Sequence, residues 1–117
     1  MLNKTLDIAK SIPYIRGQQR VAAVALDKRG RVLASKTNSY IKTHPVQAEY
    51  AEKTGNPDKC FLHAEINVII AAQKVGEIHK IVIARSSKKG HHLPSKPCVI
   101  CAMAIEEAGI KEVEYYD

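Results

Sequence analysis

The sequence has no tryptophan and a single phenylalanine, and aromatic residues make up only 5% of its 117 positions. That scarcity argues against an extended stacking platform for single-stranded nucleic acid. Long hydrophobic runs are missing too. The longest, Val21 to Leu26 and Val68 to Ala72, fall far short of the roughly 20 apolar residues a bilayer span needs. The first ten residues carry Lys4, Asp7 and Lys10 among their apolar positions, so the uninterrupted core of a signal peptide is absent and a cytoplasmic protein is expected. Six glycines and five prolines are too few for a collagenous or low-complexity chain, and 45% apolar with 26% charged residues matches an ordinary globular one. Three cysteines are an odd number, and two of them form a Cys-x-x-Cys pair, which favours metal or redox chemistry over a disulfide framework. The third, Cys60, reads as a small buried hydrophobe. The length suits one core and not two, so a single domain over residues 1–117 is expected.

Acids are scarce in two places. Residues 1–47 hold nine Lys or Arg against two acids, and residues 80–97 hold five against none, which concentrates the formal charge of +6. Such segments suit an anionic partner, a nucleotide phosphate or a nucleic-acid backbone, and equally suit a plainly solvated basic surface.

What is present organises into alternating elements. Leu2, Leu6, Ala9 and Ile12 lie at helical spacing, with Asn3 as the expected cap and Pro13 as the stop. Arg20 to Asp27 and Arg31 to Tyr40 are β-prone runs joined through Gly30, a hairpin pattern. Residues 41–60 read as an insertion over a site, with one or two helical turns after Pro45 and a break at Asn56-Pro57. Ala64 to Val75 predicts a helix stopped by Gly76, Lys80 to Arg85 a strand, and Ser86 to Lys96 a basic loop. Cys98 to Ala108 predicts a helix entered by Pro97 and closed by Gly109, and Ile110 to Tyr116 a last strand. Strands alternating with helices in the second half imply parallel pairing with helices packed on an α/β sheet.

Two segments are chemically unusual, and both fall at expected helix starts: His63-Ala64-Glu65 and Pro97-Cys98-Val99-Ile100-Cys101. Cysteines three apart in a first helical turn project from one face and can grip one ion, and a helix N-terminus favours the thiolate form that binds zinc. His63, Cys98 and Cys101 supply three ligands to a tetrahedral ion, and a fourth position left open for water is the pattern of a catalytic Zn²⁺ site. Such a site activates water near neutral pH. Glu65, two residues past His63, is placed to move protons without being a ligand.

This pair of motifs resembles the cytidine and deoxycytidylate deaminase superfamily, over roughly residues 20–116. Histidine at position 63, with Cys-Ala-Met-Ala-Ile and Ala-Gly-Ile-Lys after Pro97, is more similar to deoxycytidylate and tRNA adenosine deaminases than to free cytidine deaminases. The resemblance implies a three-layer α/β/α fold, with a mixed sheet of four to five strands and helices on both faces, and a homo-oligomer. It implies that Glu65 is the catalytic acid and base. It also implies that Asn38 touches the substrate sugar, that the N–H groups of Ala64 and Cys98 face the base and the attacking oxygen, and that the carbonyl of Lys96 faces the leaving amine. A lysine at position 96 departs from the pattern. So does the end of the chain, where many relatives continue into a further strand and helix after the position of Tyr116.

Other readings stay beside this one. A structural zinc site would need a fourth ligand, for which His91 and His92 are the candidates. His44 and His79 have no local pattern. Arg85, Lys88, Lys89 and Lys96 could form a phosphate pocket, and Tyr115 or Tyr116 could stack on a base, though strand alternation sends one of the two into the core. Three functions follow: deamination of a cytosine nucleotide or nucleoside, deoxycytidylate foremost; deamination of cytosine or adenine within RNA or DNA; and a zinc-stabilised binding domain without turnover.

Overall fold

The computed structural model describes all of residues 1–117. The fold is built on two apolar strands whose alternate side chains feed opposite faces. In β1 (Arg20–Leu26) and β3 (Lys80–Ser86), which pair antiparallel, Ala23, Ala25, Ile81 and Ile83 point to one side, and Val24, Leu26 and Val82 to the other. β2 (Val32–Thr37) pairs antiparallel with the free edge of β1. The hairpin is shaped by Gly30 at φ 81° and by the Asp27 carboxylate, whose Oδ1 accepts from the N–H groups of Arg29 and Arg31 at 2.9 Å each. The outer edge of β3 is shared. β5 (Glu112–Tyr115) runs parallel along residues 80–83, and β4 (His92–Leu93) pairs antiparallel with Arg85 and Ser86. The result is a mixed five-stranded sheet.

Helices cover both faces, giving the three layers expected. α1 (Leu2–Ser11) packs on β1 and β3 over Val24, Leu26 and Val82. The buried Arg20 guanidinium anchors its end, donating to the carbonyls of Lys10 at 3.1 Å and Ile12 at 3.0 Å. The opposite face carries α2 (Pro45–Lys53), α3 (Ala64–Gln73) and α4 (Val99–Glu107), which share the larger core with Ala23, Ala25, Ile81 and Ile83. No helix is long and apolar enough to cross a membrane.

Several local expectations are corrected. Residues 41–60 contain a nine-residue helix, longer than one or two turns. The basic loop contains β4. The cap of α1 is Met1, while Asn3 instead accepts a hydrogen bond from the Tyr116 hydroxyl at 3.0 Å. Gly76 is not a left-handed stop, since α3 ends at Gln73 with Lys74 as its cap. Glycine suits position 76 for a different reason: a Cβ there would lie 3.2 Å from Cδ2 of Leu33. Gly109, by contrast, does sit at φ 73° just past α4, with open space where a Cβ would stand. Gly109→Ala is therefore expected to cost about 1 kcal/mol from backbone strain alone. Chemical denaturation would check this, with an unchanged midpoint as the contrary result.

Candidate metal centre

α3 and α4 begin close together, and the chemically unusual residues stand at those two starts. His63 is the N-cap residue of α3 and Cys98 that of α4, and neither uses its side chain to cap its own helix. Both side chains are thus left to face each other. Nδ1 of His63 lies 3.3 Å from Sγ of Cys101 and 3.5 Å from Sγ of Cys98, and the three ligand atoms all lie within 4.8 Å of one another. Tetrahedral zinc with bonds of about 2.0–2.1 Å to nitrogen and 2.3 Å to sulfur separates such atoms by roughly 3.5 Å. The donors therefore fit the ion in kind and in spacing. No fourth His, Cys, Asp or Glu joins the group. His92 is elsewhere, stacked on Tyr116 with ring centroids 4.3 Å apart. His91 sits in the β3–β4 turn, where its N–H is bonded to the Ser87 hydroxyl.

The electrostatics follow from this crowding. A hydrogen bond from Cys101, and then one from His63, hold the Cys98 thiol down at about 3. The same bond to Cys98, with burial, pushes the Cys101 thiol far up, and the contact with Cys98 raises the His63 imidazole. Zinc takes both sulfurs as thiolates and the imidazole neutral, so its uptake must release protons. Glu65, the second residue of α3, is only 7% exposed, and burial raises its carboxyl above the ordinary carboxylate range. It borders the same cavity as His63 and Cys98 and is not one of the three grouped donors.

Beside this cluster opens a cavity of about 340 Å³, bordered by His63, Glu65 and Cys98. Asn38, Ala64 and Lys96 also line it, so of the expected metal donors, proton carrier and substrate contacts all but the buried Cys101 border one space. Ala64 opens α3, and its N–H therefore has no acceptor within the helix. The Asn38 amide is partly committed: Oδ1 accepts from the Val21 N–H at 2.9 Å, and Nδ2 donates to the Gln19 carbonyl at 3.1 Å. Of the four basic residues considered for a phosphate pocket, Arg85 and Lys96 line the cavity, and Lys59 joins them. Lys88 and Lys89 do not line it. Lys88 Nζ stands 5.5 Å from the Tyr14 ring centroid.

Three contributions lay outside the sequence reading. Lys59 and Asp58 reach the cavity from the expected insertion. Ser95, buried on the wall, donates from Oγ to the Ile83 carbonyl at 2.8 Å and accepts from the Tyr116 N–H at 2.9 Å, fastening the loop that leads to Cys98. Gln47 is wholly buried in α2 and accepts from the His63 N–H at 3.1 Å. A local signal existed only for Ser95, two residues before the Pro-Cys motif. The remaining side chains resolve as structural. His44 Nδ1 accepts from the Val46 N–H and caps α2; His79 stands 3.8 Å from Glu112; Cys60 is half-buried and outside the cluster; and Tyr115 packs on the core.

Comparison with known proteins agrees with this geometry. No curated protein matches the chain in sequence. Among solved structures, a glutamate-to-glutamine mutant of cytidine deaminase from Mycobacterium tuberculosis matches with a TM-score of 0.58 and 22% identity, over 97% of this chain and 81% of that one. At that identity the likeness is one of fold. The family described as the cytidine and deoxycytidylate deaminase zinc-binding region matches residues 1–117. Three metal donors at two helix starts, a buried glutamate beside them and this match over the whole chain agree, and the protein belongs to the cytidine and deoxycytidylate deaminase family.

Proposed function

We propose that this chain deaminates a cytosine nucleotide or nucleoside by hydrolysis, deoxycytidylate foremost, giving the uracil product and ammonia. The observation that carries the reading is the buried Glu65 at the wall of a cavity also bordered by His63 and Cys98, two members of a three-donor metal cluster that lacks a fourth protein ligand. A mere metal clip has no use for an unliganded carboxylate held there at a desolvation cost. His63, Cys98 and Cys101 would hold zinc, which when bound would supply the Lewis acidity that makes water a nucleophile near pH 7.

The protein's own groups do the rest. Glu65 takes one proton of the water that adds to C4 and passes it to ring N3, then takes the remaining hydroxyl proton of the adduct and delivers it to the exocyclic amine as the C4–N bond breaks and the C4 carbonyl forms. Its burial suits that work, because a raised carboxyl can hold the proton between the two transfers. The Ala64 N–H, at the open end of α3, is a donor for the base carbonyl, and the Lys96 carbonyl is the acceptor for the departing amine. Asn38 faces the sugar.

The preference for a phosphate rests on the rim, where Lys59, Arg85 and Lys96 outnumber Asp58. A charge-assisted contact to phosphate contributes about 1.5–3 kcal/mol. Arg85→Ala is therefore expected to lower kcat/KM for deoxycytidylate at least about tenfold more than for deoxycytidine. Ammonia release by zinc-loaded protein against cytidine, deoxycytidine, CMP, dCMP and adenosine tests the whole reading. Turnover confined to dCMP supports it, equal turnover of deoxycytidine removes the phosphate, and silence across the panel transfers the reading to bases within RNA or DNA or to a domain without turnover.

A further inference from the structure

Gln47 is a polar side chain with no exposed surface, on a helix that supplies neither a metal donor nor a residue lining the cavity. Glutamine is rarely placed so. Both ends of its amide are engaged, across two segments: Oε1 accepts from the His63 N–H at 3.1 Å, and Nε2 donates to the Lys59 carbonyl at 3.1 Å. Those two residues bracket the segment that runs along the cavity from Lys59 through Phe61 and Leu62 to His63. On its other side this segment is held by the Leu62 N–H to the Lys42 carbonyl at 2.9 Å and the Ser39 N–H to the Leu62 carbonyl at 2.9 Å.

We infer that Gln47 is a positioning residue for the metal centre, setting the backbone of His63, and with it Nδ1, against the two sulfurs, while the same amide fixes the Lys59 rim. The inference rests on the zinc reading of the cluster. Its physical ground is leverage. His63 is the N-cap of α3, so its N–H lies outside the helical ladder and has no acceptor but Gln47. Nδ1, the nitrogen that faces both sulfurs, is the ring nitrogen nearer the backbone, so a displaced backbone moves the donor directly. Groups that orient a ligand in this way typically alter metal affinity by about 10- to 100-fold when removed.

Three variants test this with cobalt and zinc as probes. Gln47→Leu fills the space without an acceptor and should release zinc to a chromogenic chelator about tenfold faster, with shifted visible bands of the cobalt-substituted protein. Gln47→Glu keeps an acceptor for the His63 N–H and, held neutral in this fully buried place, a donor for the Lys59 carbonyl, and should release zinc more slowly than Gln47→Leu. Ala51→Gly weakens the same helix without touching His63 or Lys59, and should lower Tm while leaving the cobalt bands and the release rate in place. Parent-like bands and release in Gln47→Leu would overturn the inference, as would release from Gln47→Glu as fast as from Gln47→Leu, or a matching change in Ala51→Gly. A parent chain that binds neither metal would fail differently, sinking the zinc reading itself.

Discussion

Glu65→Gln is expected to lower kcat by about 10²- to 10⁴-fold, the usual worth of a positioned general acid and base, while zinc content and Tm stay near those of the parent. The substitution exchanges one oxygen for an amide nitrogen inside a site that is only 7% exposed, so volume and packing are conserved. Glu65 is not among the metal donors, so the ion should remain. What is lost is the ability to accept a proton and return it, a function exercised in the transition state and not in binding. The loss should therefore appear in kcat, with KM little changed. Steady-state ammonia release with parallel metal analysis checks it. A variant that keeps zinc and also keeps turnover would remove the proton-transfer role, and one that loses zinc would place Glu65 in the coordination sphere.

The residues at the centre were legible because their signal is local. His63 with Glu65, and Cys98 with Cys101, are two and three positions apart, and each pair opens a helix whose start is marked in the sequence. The strands β1 and β3 were equally plain, being unbroken apolar runs buried on both faces. What escaped depends on partners far away in the chain. β4 is two residues long, too short for any period, and exists only because Arg85 and Ser86 present an open edge. Gln47 meets His63 sixteen residues later, and nothing around it in the sequence distinguishes it from a solvated helix glutamine. The cations were partly misjudged for the same reason. Lys88 and Lys89 look best in a count, yet the turn they occupy carries them off the cavity that Arg85 and Lys59 line. Tyr116 offered a ring for stacking, and His92 already stacks on it.

Zinc removal should have the largest effect on stability. An ion bound by the folded chain and not by the unfolded one contributes about 4 kcal/mol at a thousandfold excess over Kd, which for a domain of this size is a fall in Tm of about 15 °C. Chelation should produce that fall, and readdition of zinc should reverse it. Cys101→Ala sharpens the experiment, because Cys101 is both a donor and a fully buried member of the core. Losing the sulfur from the core alone costs about 1 kcal/mol. Losing the ligand erases the zinc-dependent increment altogether, so melting curves of the variant with and without zinc should coincide. Cys98→Ala provides the contrast, since Cys98 is exposed and contributes little to packing. It should lose the same increment while the zinc-free Tm stays at the parent value. If Cys101→Ala still gains about 15 °C on adding zinc, the ion is held elsewhere. The convergence of α3 and α4 would then owe its stability to Ile66, Ile100 and Ala104 packing in the core and not to a shared metal.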